Sequence, residues 1–259
     1  MMQQVSGGTS AWSVANPTYT DVFSVAAQDI NPSGLYFKPD GAKMYVVDND
    51  GEDISEYDLG VAWSVSTASF VQSFNVTAQD LSPLGIFFKP DGTKFYIAGS
   101  VGDAINEYDL STAWDISTAS YTQNATLVGS VSRPYFRADG TRAYFVRSFD
   151  RAVREYSLGT AWDISTIAHA QDFTVYPPQL TPRAVFFKPD GTKMFVSGVS
   201  GRYVTEYNLG VAWDISTSMH IRNFSAVQTS SPRGLFFKSD GTKMYILDAT
   251  SDSVYEYDL

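Results

Sequence analysis

The chain has no cysteine among its 259 residues and only two histidines, His169 and His220. A disulfide framework, a thiolate zinc site and a cysteine nucleophile are thereby excluded, and two imidazoles are too few for most metal or Ser-His sites. Positive charge is scarce as well: 18 Lys and Arg stand against 28 Asp and Glu, a net charge of −10. Such a chain repels nucleic acid and anionic membrane in bulk, so neither is expected as a partner and any anion site must be a local exception. No apolar run approaches the length of a membrane span, and the opening MMQQVSGGTS lacks the basic and apolar parts of a signal peptide. No segment holds a helical hydrophobic period over ten residues. What is present is 44% hydrophobic and 15% aromatic residues, ample for a core.

Three markers recur with one period of about 50 residues. Asp-Gly places its glycine at Gly41, Gly92, Gly140, Gly191 and Gly241. Glu-Tyr begins at Glu56, Glu107, Glu155, Glu206 and Glu256, and all the tryptophans fall at Trp12, Trp63, Trp114, Trp162 and Trp213. Within each repeat, an apolar run such as GLFFK (234 to 238) is followed by a PDG-type turn, where Pro presets the second position in three repeats (Ala138 and Ser239 stand there in the other two) and Gly supplies a left-handed backbone in all five. An alternating segment such as TKMYI (242 to 246), a polar turn, a segment like SVYEYDL and a Thr/Ser-rich stretch complete it. Four short strands per unit, with apolar character on both strand faces, predict an all-β, five-bladed β-propeller of four-stranded antiparallel blades. SAWSVANPTYTDVFSV (10 to 25) matches a fourth strand and SVYEYDL (253 to 259) a third. The N-terminal strand is therefore expected to complete the last blade and close the ring of a single domain spanning 1–259.

The string FFKPDGTKMY…EYDL…AWDIST resembles the PDG-type propeller repeats of bacterial and bacteriophage proteins, within the broader YVTN/WD40-like group, over about 250 of the 259 residues. The third repeat departs from it, with FRADG for FKPDG and Ser157 for the expected Asp. The resemblance implies a binding or surface-recognition module at an extracellular or virion surface, and it says little about chemistry, because propellers carry many functions.

Residues present in every repeat are expected to serve the blades. The tryptophans are read as packing between blades rather than as sugar-stacking platforms. The basic positions flanking the PDG turn, Lys38/Lys43, Lys89/Lys94, Arg137/Arg142, Lys188/Lys193 and Lys238/Lys243, share a rim with one third-strand Glu per blade, predicting a cross-strand ion pair in every blade, worth a few tenths to about 1 kcal/mol if exposed. Asp115, Asp163 and Asp214 in WDIST suit a local turn in which a short polar side chain bonds nearby backbone.

Positions that break the symmetry are the functional candidates. All eight lysines lie in the PDG turns, on one rim. Six arginines, Arg133, Arg147, Arg151, Arg183, Arg202 and Arg233, fall at first-strand starts or around the second turn, which belong to the opposite face. Residues 131–157 carry a balance of +3 and residues 181–209 of +2, against −5 for residues 32–60. Arg183 and Arg233 are equivalent in TPRAVFF and SPRGLFF, with Arg133 in VSRPYF nearby, so three guanidinium forks are expected at the channel mouth, suited to a carboxylate, sulfate or phosphate. The bland alternative pairs them with Asp29 or Asp80. Tyr176, beside Pro177 and Pro178, is a further contact candidate on that face. DNDGED (48 to 53) looks like half of a calcium loop but lacks the distal Glu, so an ordinary hairpin and no metal are expected there.

The inner strands LYFK, IFFK, PYFR, VFFK and LFFK contain no acid, so a two-carboxylate glycosidase lacks its parts. A lyase using Arg and Tyr stays compatible with the composition. The reading is a non-catalytic module, without cofactor or catalytic residues, that acts as a monomer and binds a glycan or surface polymer, preferably acidic. The competing class is a structural or protein-binding domain, for instance of a phage particle.

Overall fold

Alternation of β-branched and aromatic residues with polar ones, punctuated by Asp-Gly turns, leaves the chain no regular structure but short strands. In the computed structural model, which describes residues 11–129, 132–175 and 181–259, twenty strands form five four-stranded antiparallel sheets. Strand β1 (Thr18–Ser24) precedes the first blade, which comprises β2 (Pro32–Phe37), β3 (Lys43–Asp48), β4 (Asp53–Leu59) and β5 (Ala68–Asn75). The second blade has β6 (Pro83–Phe88), β7 (Lys94–Gly99), β8 (Ala104–Leu110) and β9 (Ala119–Thr126). The third has β10 (Ser132–Phe136), β11 (Arg142–Arg147), β12 (Ala152–Leu158) and β13 (Ile167–Thr174). The fourth has β14 (Pro182–Phe187), β15 (Lys193–Gly198), β16 (Tyr203–Leu209) and β17 (Ser218–Ser225). The fifth has β18 (Pro232–Phe237), β19 (Lys243–Asp248) and β20 (Ser253–Asp258), and β1 pairs antiparallel with β20, with Val22 opposite Tyr255. The ring is thus closed by the N-terminal strand, as its sequence predicts.

Inner strands touch in a closed cycle, β2 to β6, β10, β14, β18 and back to β2. Their penultimate residues Tyr36, Phe87, Tyr135, Phe186 and Phe236 stand edge to face around the axis, with every neighbouring pair of centroids 5.2–5.5 Å apart. This geometry suits the ring quadrupoles and fills the channel with side chains.

The tryptophans are inter-blade packing, as expected. Trp63 stacks on Phe37 of its own blade and on Phe236 and Tyr245 of the fifth. Its carbonyl accepts the Tyr245 hydroxyl at 2.7 Å, while its own N–H donates to the Gly41 carbonyl. All five tryptophans hold a positive φ of 61–68°, an uncommon backbone for a bulky residue, which these contacts sustain.

The repeated ion pairs exist in every blade, made by the second basic position of each turn, and on the acid side they are buried rather than exposed. Glu56, Glu107, Glu155, Glu206 and Glu256 are all buried. Lys43 Nζ lies 2.6 Å from Glu56 and Lys94 2.7 Å from Glu107, and the same pairing joins Arg142 to Glu155, Lys193 to Glu206 and Lys243 to Glu256. Burial is tolerated because each carboxylate also accepts from a neighbouring element. Glu56 takes the Ile116 N–H and the Gln72 amide, Glu206 takes the Val14 N–H and Glu256 the Val65 N–H. In these three the carboxylate stitches its blade to the short turn leading into the fourth strand of the next. Those turns form as expected, with Asp115, Asp163 and Asp214 accepting N–H groups two residues on.

Candidate functional site

Inner strands begin at the upper face, where β3–β4-type hairpins also lie, while the PDG turns with all the lysines occupy the lower rim. Near its start each inner strand slips register: Pro32 faces Asp48 while Gly34 faces Val47, so Ser33 is an extra, bulged residue. In the fourth and fifth blades the bulged residues are Arg183 and Arg233. A bulge re-aims the side chain it carries, and these two guanidinium groups owe their place at the channel mouth to it.

Arg133 differs. Counted back from the aromatic pair Tyr135-Phe136, it occupies the position of Gly34, Gly85, Ala184 and Gly234, one residue deeper than Arg183 and Arg233. Its φ is +48° and its side chain is buried. A Cβ on Gly85 would come within 2.4 Å of the Arg133 Cα, so the neighbouring blade must offer glycine there. Arg133 Nε donates to the Ser33 carbonyl at 2.7 Å and one terminal nitrogen to the Arg183 carbonyl at 2.7 Å. The arginine thus lies across the channel, over a cavity of about 30 Å³ lined by inner-strand residues, room for a water.

Arg133, Arg183 and Arg233 are brought together, as expected, and not one of them forms an ion pair among the described residues. Burial and the charges of Arg183 and Arg233 push the Arg133 guanidinium well below its ordinary value, and burial likewise lowers Arg183 and Arg233. The Arg183 Nε is buried without a partner among the described residues, and Arg233 donates to Asn31 Oδ1 at 2.6 Å. Pairing with Asp29 or Asp80 does not occur. Both acids are buried, Asp29 accepting from the Tyr57 hydroxyl and Asp80 from the Ser82 N–H.

The other three candidates sit on hairpins of the same face, around the mouth rather than in it. Arg147 contacts Asp150 at 2.5 Å and covers the Phe149 ring, Arg151 is exposed in that hairpin, and Arg202 donates to the Thr229 carbonyl. Arg154, on β12, was not expected on this face, yet it donates to the Val128 carbonyl there and contacts Asp150. Tyr176 lies outside the described residues. Exposed apolar side chains surround the arginines: Ile30, Leu81, Val101, Val128 and Val227, with Phe149 88% exposed.

No known family model matches the chain, and no curated protein matches it in sequence. Solved structures match in fold. A candidate 6-phosphogluconolactonase from Bacteroides fragilis NCTC 9343 superposes with a TM-score of 0.59 at 12% identity, over 90% of this chain and 81% of that one. The Pseudomonas aeruginosa periplasmic gluconolactonase PpgL gives 0.52 at 16%, over 88% and 66%, and Kuenenia stuttgartiensis hydrazine synthase 0.52 at 17%, over 85% and 56%. The chain spans less than two thirds of the hydrazine synthase chain. At these identities the likeness is one of fold, and the fold it supports is the β-propeller.

Proposed function

We propose that this propeller is a non-catalytic recognition module whose upper face takes the carboxylate, sulfate or phosphate of an acidic glycan or surface polymer at the channel mouth. One observation carries the reading: Arg133, Arg183 and Arg233 converge there without an acidic partner among the described residues. Three guanidinium groups held close repel one another, and an anion bridging their forks relieves that repulsion. Arg147, Arg151 and Arg202 would extend the positive field outward, and the exposed Ile30, Leu81 and Phe149 offer apolar contact to the body of a polymer. Inner strands bring no carboxylate or imidazole to the mouth among the described residues, which is why the reading is binding rather than the lactone chemistry in the names of the structural neighbours.

The PDG-turn repeat, with its resemblance to bacterial and phage propellers, supports an extracellular or virion-surface setting. A second reading, a protein-binding or particle-structural domain, rests on the exposed apolar side chains of the same face. A glycan array at low and moderate salt separates the two. Binding that follows acidic glycans, weakens with salt and drops in Arg183→Ala/Arg233→Ala supports the first reading. Absence of glycan binding under every condition favours the second.

A further inference from the structure

One corner of the upper face has the opposite charge. In the first blade, Asp29 from the loop before β2, Asp48 at the end of β3 and Asp53 at the start of β4 each place a carboxylate oxygen within 4.8 Å of the others. It is the one such group of potential metal ligands among the described residues, and none of the three acids has a cationic partner there. Two of them have oxygens with nothing to do. Asp29 is fully buried and its Oδ2 accepts from the Tyr57 hydroxyl at 2.6 Å, while its Oδ1, with the Ser55 hydroxyl nearby, is without a well-formed hydrogen bond among the described residues. Asp53 Oδ1 is likewise buried and unpartnered among the described residues.

The other blades show how many carboxylates the loop itself requires. In the first blade Asp48 fastens the loop, accepting the Ile30 and Asn31 N–H groups at 3.1 Å each. In the fifth, Asp248 does the same for Ser230 and Ser231, and the place of Asp29 is taken by Thr229, that of Asp53 by Ser253. In the second, Gly99 stands in the place of Asp48 and Ala104 in that of Asp53, and Asp80 alone does the fastening through Ser82 N–H. One carboxylate is enough in each case. The first blade holds two more than its loop uses, and burial without a partner disfavours their charged form unless a proton or a cation compensates. Gly51 keeps the hairpin open beside them: a Cβ there would lie 3.0 Å from Asp48 Oδ2 and 3.1 Å from Asp53 Oδ1.

We propose that Asp29, Asp48 and Asp53 form a binding site for a divalent cation the size of Ca²⁺. Carboxylates are the hard oxygen ligands such an ion takes, and bonds of about 2.3–2.6 Å let one ion reach oxygens that all lie within 4.8 Å of one another. Mg²⁺, at about 2.0–2.1 Å, demands stricter octahedral geometry and would keep more of its water. Asp53 is partly exposed and gives the ion an entry path. Occupancy would tie the 26–31 loop to the β3–β4 hairpin beside the Asn31–Arg233 contact. The site does not depend on the anion reading, and its test contains no glycan.

The test is calorimetric unfolding and titration of the chelator-treated chain with calcium or magnesium chloride. Millimolar calcium is expected to raise Tm by about 5 °C or more with measurable binding heat, and magnesium by clearly less. Asp29→Asn, which keeps the shape and removes a buried charge, should fold and lose the calcium response, while Asp80→Asn should respond as the parent does. No shift and no heat with the parent chain would overturn the site, as would an undiminished response in Asp29→Asn. An equal response to magnesium at the same concentration would overturn its assignment to an ion of calcium size.

Discussion

Arg133 Nε donates to the carbonyl of Ser33 at 2.7 Å, joining residues 100 positions apart across the axis of the ring. The same guanidinium reaches the Arg183 carbonyl, so one side chain touches the first, third and fourth blades and holds a positive charge over the filled channel. Neutral carbonyls satisfy its hydrogen bonds without cancelling its charge, and the proposed anion site rests on that distinction.

Ring closure depends on one strand. Deleting residues 1–25 removes β1 and exposes the whole edge of β20. The truncated chain is expected to unfold at a lower temperature and to self-associate, as followed by thermal unfolding and size-exclusion chromatography. A monomer of unchanged Tm would show that the closing strand is dispensable.

The tryptophans are a matter of stability. Trp63→Ala should cost about 3–5 kcal/mol, because a large ring packed on Phe37, Phe236 and Tyr245 leaves a cavity between the first and fifth blades. Denaturant unfolding measures it. A loss under about 1 kcal/mol would return the residue to the surface-platform reading.

Lys43 and Glu56 should be coupled well beyond an exposed pair. Glu56 is buried, while Lys43 is about three-quarters covered and also contacts Asp58 at 2.6 Å. A double-mutant cycle of Lys43→Ala and Glu56→Ala is expected to give an interaction energy of about 1–3 kcal/mol. Coupling of a few tenths would place the pair with ordinary surface bridges.

Acid should weaken the PDG turns together. Asp91, Asp190 and Asp240 are drawn down to about 2 although partial burial alone would raise them; the Lys bonds two residues before and the Thr hydroxyl and N–H bonds two residues after outweigh it. A carboxyl depressed in the folded state adds stability that is present above its ordinary value near 4 and is lost as pH falls through 2. The groups are largely exposed, so each contributes only a few tenths of a kcal/mol or so. The triple variant Asp91→Asn/Asp190→Asn/Asp240→Asn should therefore show a shallower fall in stability from pH 4 to pH 2. A parallel fall would assign the acid sensitivity elsewhere.

The architecture was legible in the sequence because Asp-Gly, Glu-Tyr and Trp each report a backbone requirement of every blade, and five copies leave one closed solution. The gathering of Arg133, Arg183 and Arg233 was legible for the same reason. The depth of Arg133 was not: its spacing of 50 from Arg183 suggests equivalence, whereas the aromatic pair two residues on sets it in the glycine position, and only the close approach of the strands makes that shift consequential. The acidic cluster was half visible in DNDGED. Its third member, Asp29, comes from the loop before the same blade, 19 residues before Asp48, and no local motif links the two.

Calorimetric titration with a sulfated or uronate-bearing oligosaccharide tests the central claim most directly. The parent chain should bind, more weakly as salt rises, and Arg183→Ala/Arg233→Ala should lose at least about tenfold in affinity, about 1.4 kcal/mol, while keeping its Tm within a few degrees. Absence of binding by the parent, or equal binding by the variant, would contradict an anion site at the mouth of the ring.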